Sequence, residues 1–459
     1  MEKGIGLVLI GDKPAQHLTG WKPILHYRKK VYYEMNVLVI GGGGREHALA
    51  YALSKSKRVN QVYCAPGNAG TAAMAENLPI DVNNFGALMT AVRERKIDLT
   101  IVGPEGPLCA GIVDRFQEAG LRIFGPTAAA ARIEGDKAYA KKLMKSAHVP
   151  TAEGRVFTRY EEAREYVATR DSGLVVKAAG LAAGKGVCVC ADPADALLAL
   201  ERIMVDREFG EAGETVVVEE LLKGQELSVL ALVDGNTIYV LETAQDHKAL
   251  GEGDTGPNTG GMGAYSPAPI ATPDIMSKVE RDVLVPIVAA LQRDGAPYGG
   301  VLYAGLMLTA GGPKVLEFNC RFGDPEAQVV LMRLESDLAD LLEAVVDGQL
   351  AEAEIRWNPK PAVCVVMAAG GYPGKYEKRK VITGLGDVAQ MDGVVVFHAG
   401  TRRLASKVVT NGGRVLGVTA VGETIAEAKE RSYAAVDRIK FEGSYCRRDI
   451  ADKALRLVC

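Results

Sequence analysis

Between Val315 and Glu326 the chain reads Val-Leu-Glu-Phe-Asn-Cys-Arg-Phe-Gly-Asp-Pro-Glu, a run whose residue types and spacing could do chemistry. If residues 315–319 form a strand, side chains alternate between its faces, so Glu317 and Asn319 point one way while Leu316 and Phe318 point into a core. One carboxylate beside one amide oxygen is a pair of hard donors of the kind Mg²⁺ or Mn²⁺ prefers. Arg321, a turn at Gly323 and Asp324 follow at once. A metal pair next to a fixed guanidinium suits a site that handles phosphate and carboxylate together. The same residues also suit an ordinary strand end followed by a solvated polar turn.

Such a stretch needs elements to position it. From residue 35 the pattern is strand, glycine loop and helix, repeated. Strands are expected at 35–41, 61–65, 99–102 and 122–124, with helices at 46–54 and 85–95. This α/β alternation predicts a parallel sheet covered by helices on both faces, with ligands at the carboxyl ends of its strands. Those ends are residues 41–46, 66–71, 103–105 and 125–127. The run Gly41-Gly42-Gly43-Gly44-Arg45-Glu46 lacks the third glycine of a dinucleotide fingerprint, and the second strand ends in Cys64-Ala65-Pro66 rather than in an acid. NAD binding is therefore disfavoured, while a phosphate on the loop amides and helix N-terminus stays open.

Further along, residues 127–148 read as helical and 173–178 as a strand carrying Lys177. The loop Gly180-Leu181-Ala182-Ala183-Gly184-Lys185-Gly186 follows. It is no Walker A loop, because its glycines are too close and Gly186 stands where Ser or Thr is required. Either it folds over phosphates as a lid or it is a plain hairpin turn. Strands are expected at 215–219 and 227–233. Residues 251–267 are too glycine-dense for a core element and too varied for a linker, which marks them as a functional loop. A helix at 274–294 precedes a strand at 300–309, which should pair with 315–319 across a turn. Helices then run to residue 350. After a proline boundary at 359–361, strands at 362–368, 394–399 and 414–420 and a helix at 425–439 make a small α+β domain. His398 has no acid or nucleophile near it in sequence and is read as structural.

The chain's 459 residues suggest three domains, and 48% hydrophobic with 24% charged residues is a globular balance. A net charge of -3 gives no reason to expect nucleic acid or an acidic membrane as partner. No apolar run approaches the ~20 residues of a membrane span. The eight cysteines are scattered, and Cys188 and Cys190 lack a second close pair, so they read as reduced thiols of a cytoplasmic protein rather than as a zinc site. Residues 1–34 show no sustained period and are expected to be a loosely ordered extension.

The segments 43–49, 65–71, 100–105, 180–186, 245–248, 254–267 and 317–326 together resemble the glycinamide ribonucleotide synthetase family of the ATP-grasp superfamily, over residues 35–452. The resemblance implies a Rossmann-like N-terminal domain (35–135), a two-lobed ATP-grasp unit (136–328, lid lobe about 151–222), a helical connector (329–358) and the C-terminal domain (359–459). It implies a monomer that takes ATP, glycine and 5-phosphoribosylamine and works through a glycyl phosphate. By matching motifs, Glu317 and Asn319 are implied as ligands of Mg²⁺ or Mn²⁺, and Arg321 and Asp324 as residues flanking glycine and the acyl phosphate. Lys137, Lys177, Gly180, Gly184, Lys185 and Gly186 are implied at the ATP phosphates. Glu219 and Leu222 match the adenine hinge, and Glu226 the ribose acid. Asn68, Gly70, Thr71, Glu105, Asp246, His247, Lys248, Asp254, Asn258, Gly260 and Gly261 are implied around phosphoribosylamine. Two departures stand out: Ala179 replaces the family's Asp in the lid motif, and residues 301–308 carry no carboxylate. Another ATP-grasp ligase or carboxylase, and a nucleotide-binding or NAD-linked protein built on the first domain, are the competing readings.

Overall fold

A computed structural model describes residues 7–9, 34–182 and 185–458. The first sheet is parallel throughout, in the order Glu76–Asn77, Val59–Pro66, Met35–Gly41, Leu99–Val102, Ile123–Phe124. Its centre, Val37–Ile40, is wholly buried. That is what a strand covered by helices on both faces requires, and it explains the unbroken apolar run. Strand order reverses around Met35–Gly41, so the loops after it and after Leu99–Val102 open onto one crevice.

A second, antiparallel sheet of Gly154–Phe157, Val216–Glu220, Leu174–Ala178 and Val187–Cys190 carries the helices Tyr160–Ala168 and Pro193–Leu200 on one face. It has its own apolar core, separate from the rest of the molecule. Facing it is an antiparallel sheet whose long members are Gln225–Asp234, Gly299–Thr309 and Gly312–Asn319. The expected hairpin pairing of the last two strands is present. At the other edge of this sheet Leu7–Leu9 pairs with Thr237–Val240. Those three residues of the extension thus have a regular partner, and the rest of residues 1–33 lies outside the described residues.

The last sheet runs Gln245–Asp246, Gly263–Ser266, Ala362–Ala368, Arg414–Val421, Val394–His398, with the helix Ile425–Val436 packed against it. Its first two strands come from the middle of the chain. The glycine-dense loop between them therefore starts and ends in the sheet of the C-terminal region, a link that local pattern does not reveal.

One local expectation fails instructively. Gly305 pairs with Glu317 but Leu306 pairs with Val315, so Leu316 is an extra residue in a β-bulge. A bulge breaks the two-residue alternation and re-aims the side chains around it. Leu316 consequently lines a cavity instead of entering the core, while Phe318 is buried as expected.

Candidate active site

The bulged strand end sits over a cavity of about 360 Å³ between the two antiparallel sheets and the crevice of the first domain. Glu317 is its central acid, with a side chain 34% exposed toward the opening. Lys248 lies 3.3 Å from its Oε1, and Lys177 and Lys137 add to the positive field. Lys248 first, then the other two lysines, hold this carboxyl at about 2 against the opposing effect of burial. Glu317 is therefore ionised at neutral pH.

Lys137 and Lys141 come from one helix and Lys177 from a strand. Lys137 opens the helix Lys137–Ser146, which Asp136 caps by accepting from the amide of Tyr139, and its Nζ donates to the Gly180 carbonyl at 3.0 Å. The break at Asp136 splits the single helical region expected at 127–148 into two helices. Lys177, on Leu174–Ala178, donates to the carbonyl of Leu316 at 2.9 Å and contacts Glu219 at 2.7 Å. Lys141 takes the other oxygen of Glu219 at 2.6 Å. Glu219, 4% exposed, is thus clamped between two ammonium groups. Burial pushes Lys137 and Lys141 below the usual lysine range.

On the other side of Glu317 the charges are wired differently. Asn319 accepts from Arg321 at 3.1 Å, and Arg321 also reaches Glu134 at 2.8 Å and Glu105 at 3.3 Å. Glu134 accepts the amide of Cys320 as well. Burial raises Glu134 and would raise Glu105, but Arg321 and Arg45 bring Glu105 down to about 2. Asp324 receives Gln328 at 2.8 Å and meets Arg414 at 3.2 Å. Against the effect of burial, Arg414 and then Arg45 keep its carboxyl below the ordinary range. Asp246 is the opposite case: burial and the neighbouring Glu326 push it well up. Glu326 itself accepts from the hydroxyls of Ser228 and Tyr303, so the strand that carries no carboxylate supplies a phenol instead.

The cavity gathers Lys137, Lys177, Gly186, Glu219, Asp246, Lys248, Asn258, Gly260, Glu105, Glu317, Asn319, Arg321 and Asp324 from the expected set. A second cavity of about 460 Å³ shares Asp246, Lys248 and Asn258 with it and adds Glu226 and Asp254. Asp254 is held at its rim by Arg447 and Lys453. Gly261 contributes its carbonyl to Arg414. Gly180 and Lys185 flank the first cavity without lining it, and Leu222 lines neither. Gly184 lies outside the described residues.

Four expected residues have partners within the protein. Asn68 donates to the carbonyls of Gly42 and His398, and its own oxygen accepts the amides of Gly70 and Thr71. Thr71 is fully buried against Asn68 and Asn77. A Cβ on Gly70 would stand 2.3 Å from the His47 ring, so glycine there admits the His47–His398 contact. This loop builds the joint between the first and last domains, and His398 is structural in it, receiving Asn68 on its carbonyl and giving its amide to His47. His247 is buried with Nδ1 against the Gly263 carbonyl, and burial with Lys453 and Arg447 lowers it to about 4. In the loop Gly41–Gly44 the amide of Gly43 is likewise taken within the chain. The Glu46 carboxylate accepts from Gly43 at 2.6 Å, filling the anion position with the chain's own acid. Glycines at 41 and 103 leave room for it, since a Cβ at either would strike Glu46.

The reading from sequence missed Arg45, Glu134, Lys141, Glu326 and Arg414. Arg45 and Glu326 adjoin recognised motifs and could have been found there. The others carry no local signal.

The donor set fits a hard divalent cation. One ionised carboxylate and one amide oxygen face the same cavity, and Lys248 beside Glu317 marks a place where positive charge is favoured. Two protein ligands are few, which is the usual supply for Mg²⁺ held together with substrate phosphates.

The matching of sequence families agrees with this architecture. Models of phosphoribosylglycinamide synthetase match the chain as its N domain over residues 35–134, its ATP-grasp (A) domain over 135–327 and its C domain over 362–453. A phosphoribosylamine–glycine ligase of Rhodopirellula baltica is 53% identical over 427 residues, covering 92% of this chain and 98% of the relative. One from Vibrio cholerae is 49% identical over 424 residues, covering 92% and 99%. The crystal structure of the Thermotoga maritima phosphoribosylamine–glycine ligase superposes with a TM-score of 0.79 at 34% identity, covering 91% of this chain and all of that one. A biotin carboxylase domain from Hydrogenobacter thermophilus shares the fold alone, with a TM-score of 0.69 at 18% identity over 90% and 92% of the two chains. The chain belongs to the phosphoribosylglycinamide synthetase family.

Proposed function

We propose that the cavity around Glu317 is where this ATP-dependent ligase joins glycine to 5-phosphoribosylamine, giving glycinamide ribonucleotide, ADP and phosphate in purine biosynthesis. The substrates are small molecules, and glycine's carboxylate takes the γ-phosphoryl group before the amine attacks. The observation that carries the reading is the ionised Glu317 carboxylate among Lys248, Lys177 and Lys137, a few residues from the anchored pair Arg321 and Asp324.

A carboxylate must approach a polyanion, and cations have to offset the repulsion. Lys137 and Lys177 bind the ATP phosphates in this reading. Both are held by backbone carbonyls that can be exchanged for phosphate oxygens. Glu219 holds Lys177 and Lys141 in place. Glu226, on the wall of the second cavity, binds the ribose, and Leu222, in the turn after the strand Val216–Glu220, frames the adenine. The loop 180–186 closes over the phosphates; a Cβ at Gly180 would meet Ala212 at 2.7 Å, so this turn needs glycine to pack down. Glu317 and Asn319 would hold a divalent cation, Mg²⁺ or Mn²⁺, which when bound lowers the charge on the phosphates by several kcal/mol of stabilisation.

Arg321 lies at the junction of cavity and crevice, tied to Glu105 and Glu134, and orients glycine from there. Asp324, ionised and half-buried, faces the incoming ammonium or amine. Asp246, Lys248, Asn258 and Gly260 wall the phosphoribosylamine end. Because water destroys an acyl phosphate, the loops on both sides act as covers. We further propose a cytoplasmic monomer. Free cysteines and the absence, among the described residues, of any helix long and apolar enough to cross a membrane accord with this. The test is ADP release by the purified chain with glycine and freshly made phosphoribosylamine. Release that ignores phosphoribosylamine, or none with both present, defeats the assignment.

A further inference from the structure

The loop between Asp246 and Gly263 has one wall in the cavity and its back against the C-terminal domain. Gly260 is held there at both ends of its peptide. Its amide donates to the Tyr372 hydroxyl at 3.0 Å, and its carbonyl accepts from Nη1 of Arg414. The same guanidinium donates to the Asp324 carbonyl at 2.6 Å, reaches the Gly261 carbonyl at 3.5 Å and meets the Asp324 carboxylate at 3.2 Å through Nη2. One side chain therefore fastens two loops that are about sixty residues apart in sequence.

The fit leaves no slack. A Cβ on Gly260 would stand 3.0 Å from Cζ of Arg414. On Gly261, at φ +108°, it would stand 2.5 Å from Pro325 and 2.7 Å from Asp246. Two glycines are needed for the loop to lie flat between Asp246 and the Asp324–Pro325 turn. Arg414 opens the strand Arg414–Val421, whose neighbour Ala362–Ala368 pairs with Gly263–Ser266, so the anchor and the loop's end share one sheet.

We propose that Arg414 is a positioning residue for the second half of the reaction: it locks Asp324 and the Gly260–Gly261 loop into one wall that seats the phosphorylated ribosylamine and keeps water from the acyl phosphate. The inference rests on the ligase reading above. In the productive step the amine nitrogen bonds to the carboxyl carbon, the C–O bond to phosphate breaks, and phosphate leaves with the electron pair of that bond and takes up the proton the nitrogen gives off. When the wall is loose, water adds to the same carbon instead, and glycine and phosphate are returned with ATP spent.

The test uses the full chain as Arg414→Ala and Arg414→Lys. ATP affinity, thermal stability, KM for phosphoribosylamine and the ratio of ADP to glycinamide ribonucleotide are measured together. Arg414→Ala is expected to bind ATP as the parent does. Its KM for phosphoribosylamine should rise about tenfold or more, with more than one ADP formed per product, as expected for a reacting group displaced by about an ångström. Arg414→Lys, which keeps the charge but not the fork, should recover part of the coupling. Unchanged KM and one-to-one stoichiometry in Arg414→Ala overturn the inference. So does a parallel loss of ATP affinity and thermal stability, which marks a merely structural arginine. If the parent chain itself forms no glycinamide ribonucleotide, the ligase reading and this inference both fall.

Discussion

The two ends of the cavity solve opposite problems with the same kind of charge. At one end Lys137, Lys141 and Lys177 are paired with Glu219 and with backbone carbonyls. At the other, Arg321 and Arg414 are saturated by Glu105, Glu134, Asp324 and loop carbonyls. An ammonium is a point charge on a flexible stem and can change partners at small cost, whereas a guanidinium fork loses its geometry when it turns. The lysine end is built to exchange its contacts for phosphate, and the arginine end is built to stay where it is.

The largest effect should come from the acid between the two ends. Glu317→Ala is expected to lower kcat on the order of 10³-fold while the circular dichroism spectrum stays the same, since several kcal/mol of charge neutralisation disappear with it. Near-normal turnover at saturating Mg²⁺ would refute the ligand role. Next, Arg321→Ala should destabilise the chain by about 3 kcal/mol in urea unfolding, because Glu134 is left buried without its partner. Lys137→Ala should cost much less stability yet weaken ATP binding more. Equal losses of stability from both changes would erase the contrast between the ends.

A smaller effect is expected at the domain joint. Asn68→Ala removes donors to two backbone carbonyls and should cost about 1–2 kcal/mol, leaving the KM for phosphoribosylamine as it is. A raised KM for phosphoribosylamine would return Asn68 to the binding site. The smallest effect concerns acid. The folded-state pKa of Glu105 is about 2, below its value in the unfolded chain. Its contribution is therefore fully present above about pH 4.3 and is lost as pH falls toward 2. Glu105→Gln should flatten the fall of the urea midpoint across that window, and an unaltered slope would remove the Arg321–Glu105 pair from the account.

Much of the fold was legible because it rests on local pattern. The buried run at Val37–Ile40, the hairpin of Gly299–Thr309 with Gly312–Asn319 and the strands Ala362–Ala368, Val394–His398 and Arg414–Val421 all follow from apolar periodicity and turn residues. The bulge at Leu316 did not follow, because it is a property of cross-strand register and not of one strand's composition. The polar atoms of Asn68 and Thr71 complete their own loop and the contact with His398, which their position in the sequence does not announce. Sequence puts them at a strand end, where ligands commonly bind, but not whether their hydrogen bonds are already made.

By itself the sequence determined the chemical inventory. Glu317 and Asn319 stand two apart on a strand, lysines follow apolar strands, and glycine loops sit where a cover can form, because residue type and short-range spacing carry that information. Only the tertiary structure decided the state and task of each charge. Arg414 meets Asp324 from 90 residues away, and Glu134 reaches Arg321 from 187. Whether a carboxyl is held ionised, as at Glu317, or pushed toward its neutral form, as at Asp246, depends on burial and on neighbours through space. Those neighbours are set by how the sheets pack, which no stretch of the chain contains alone.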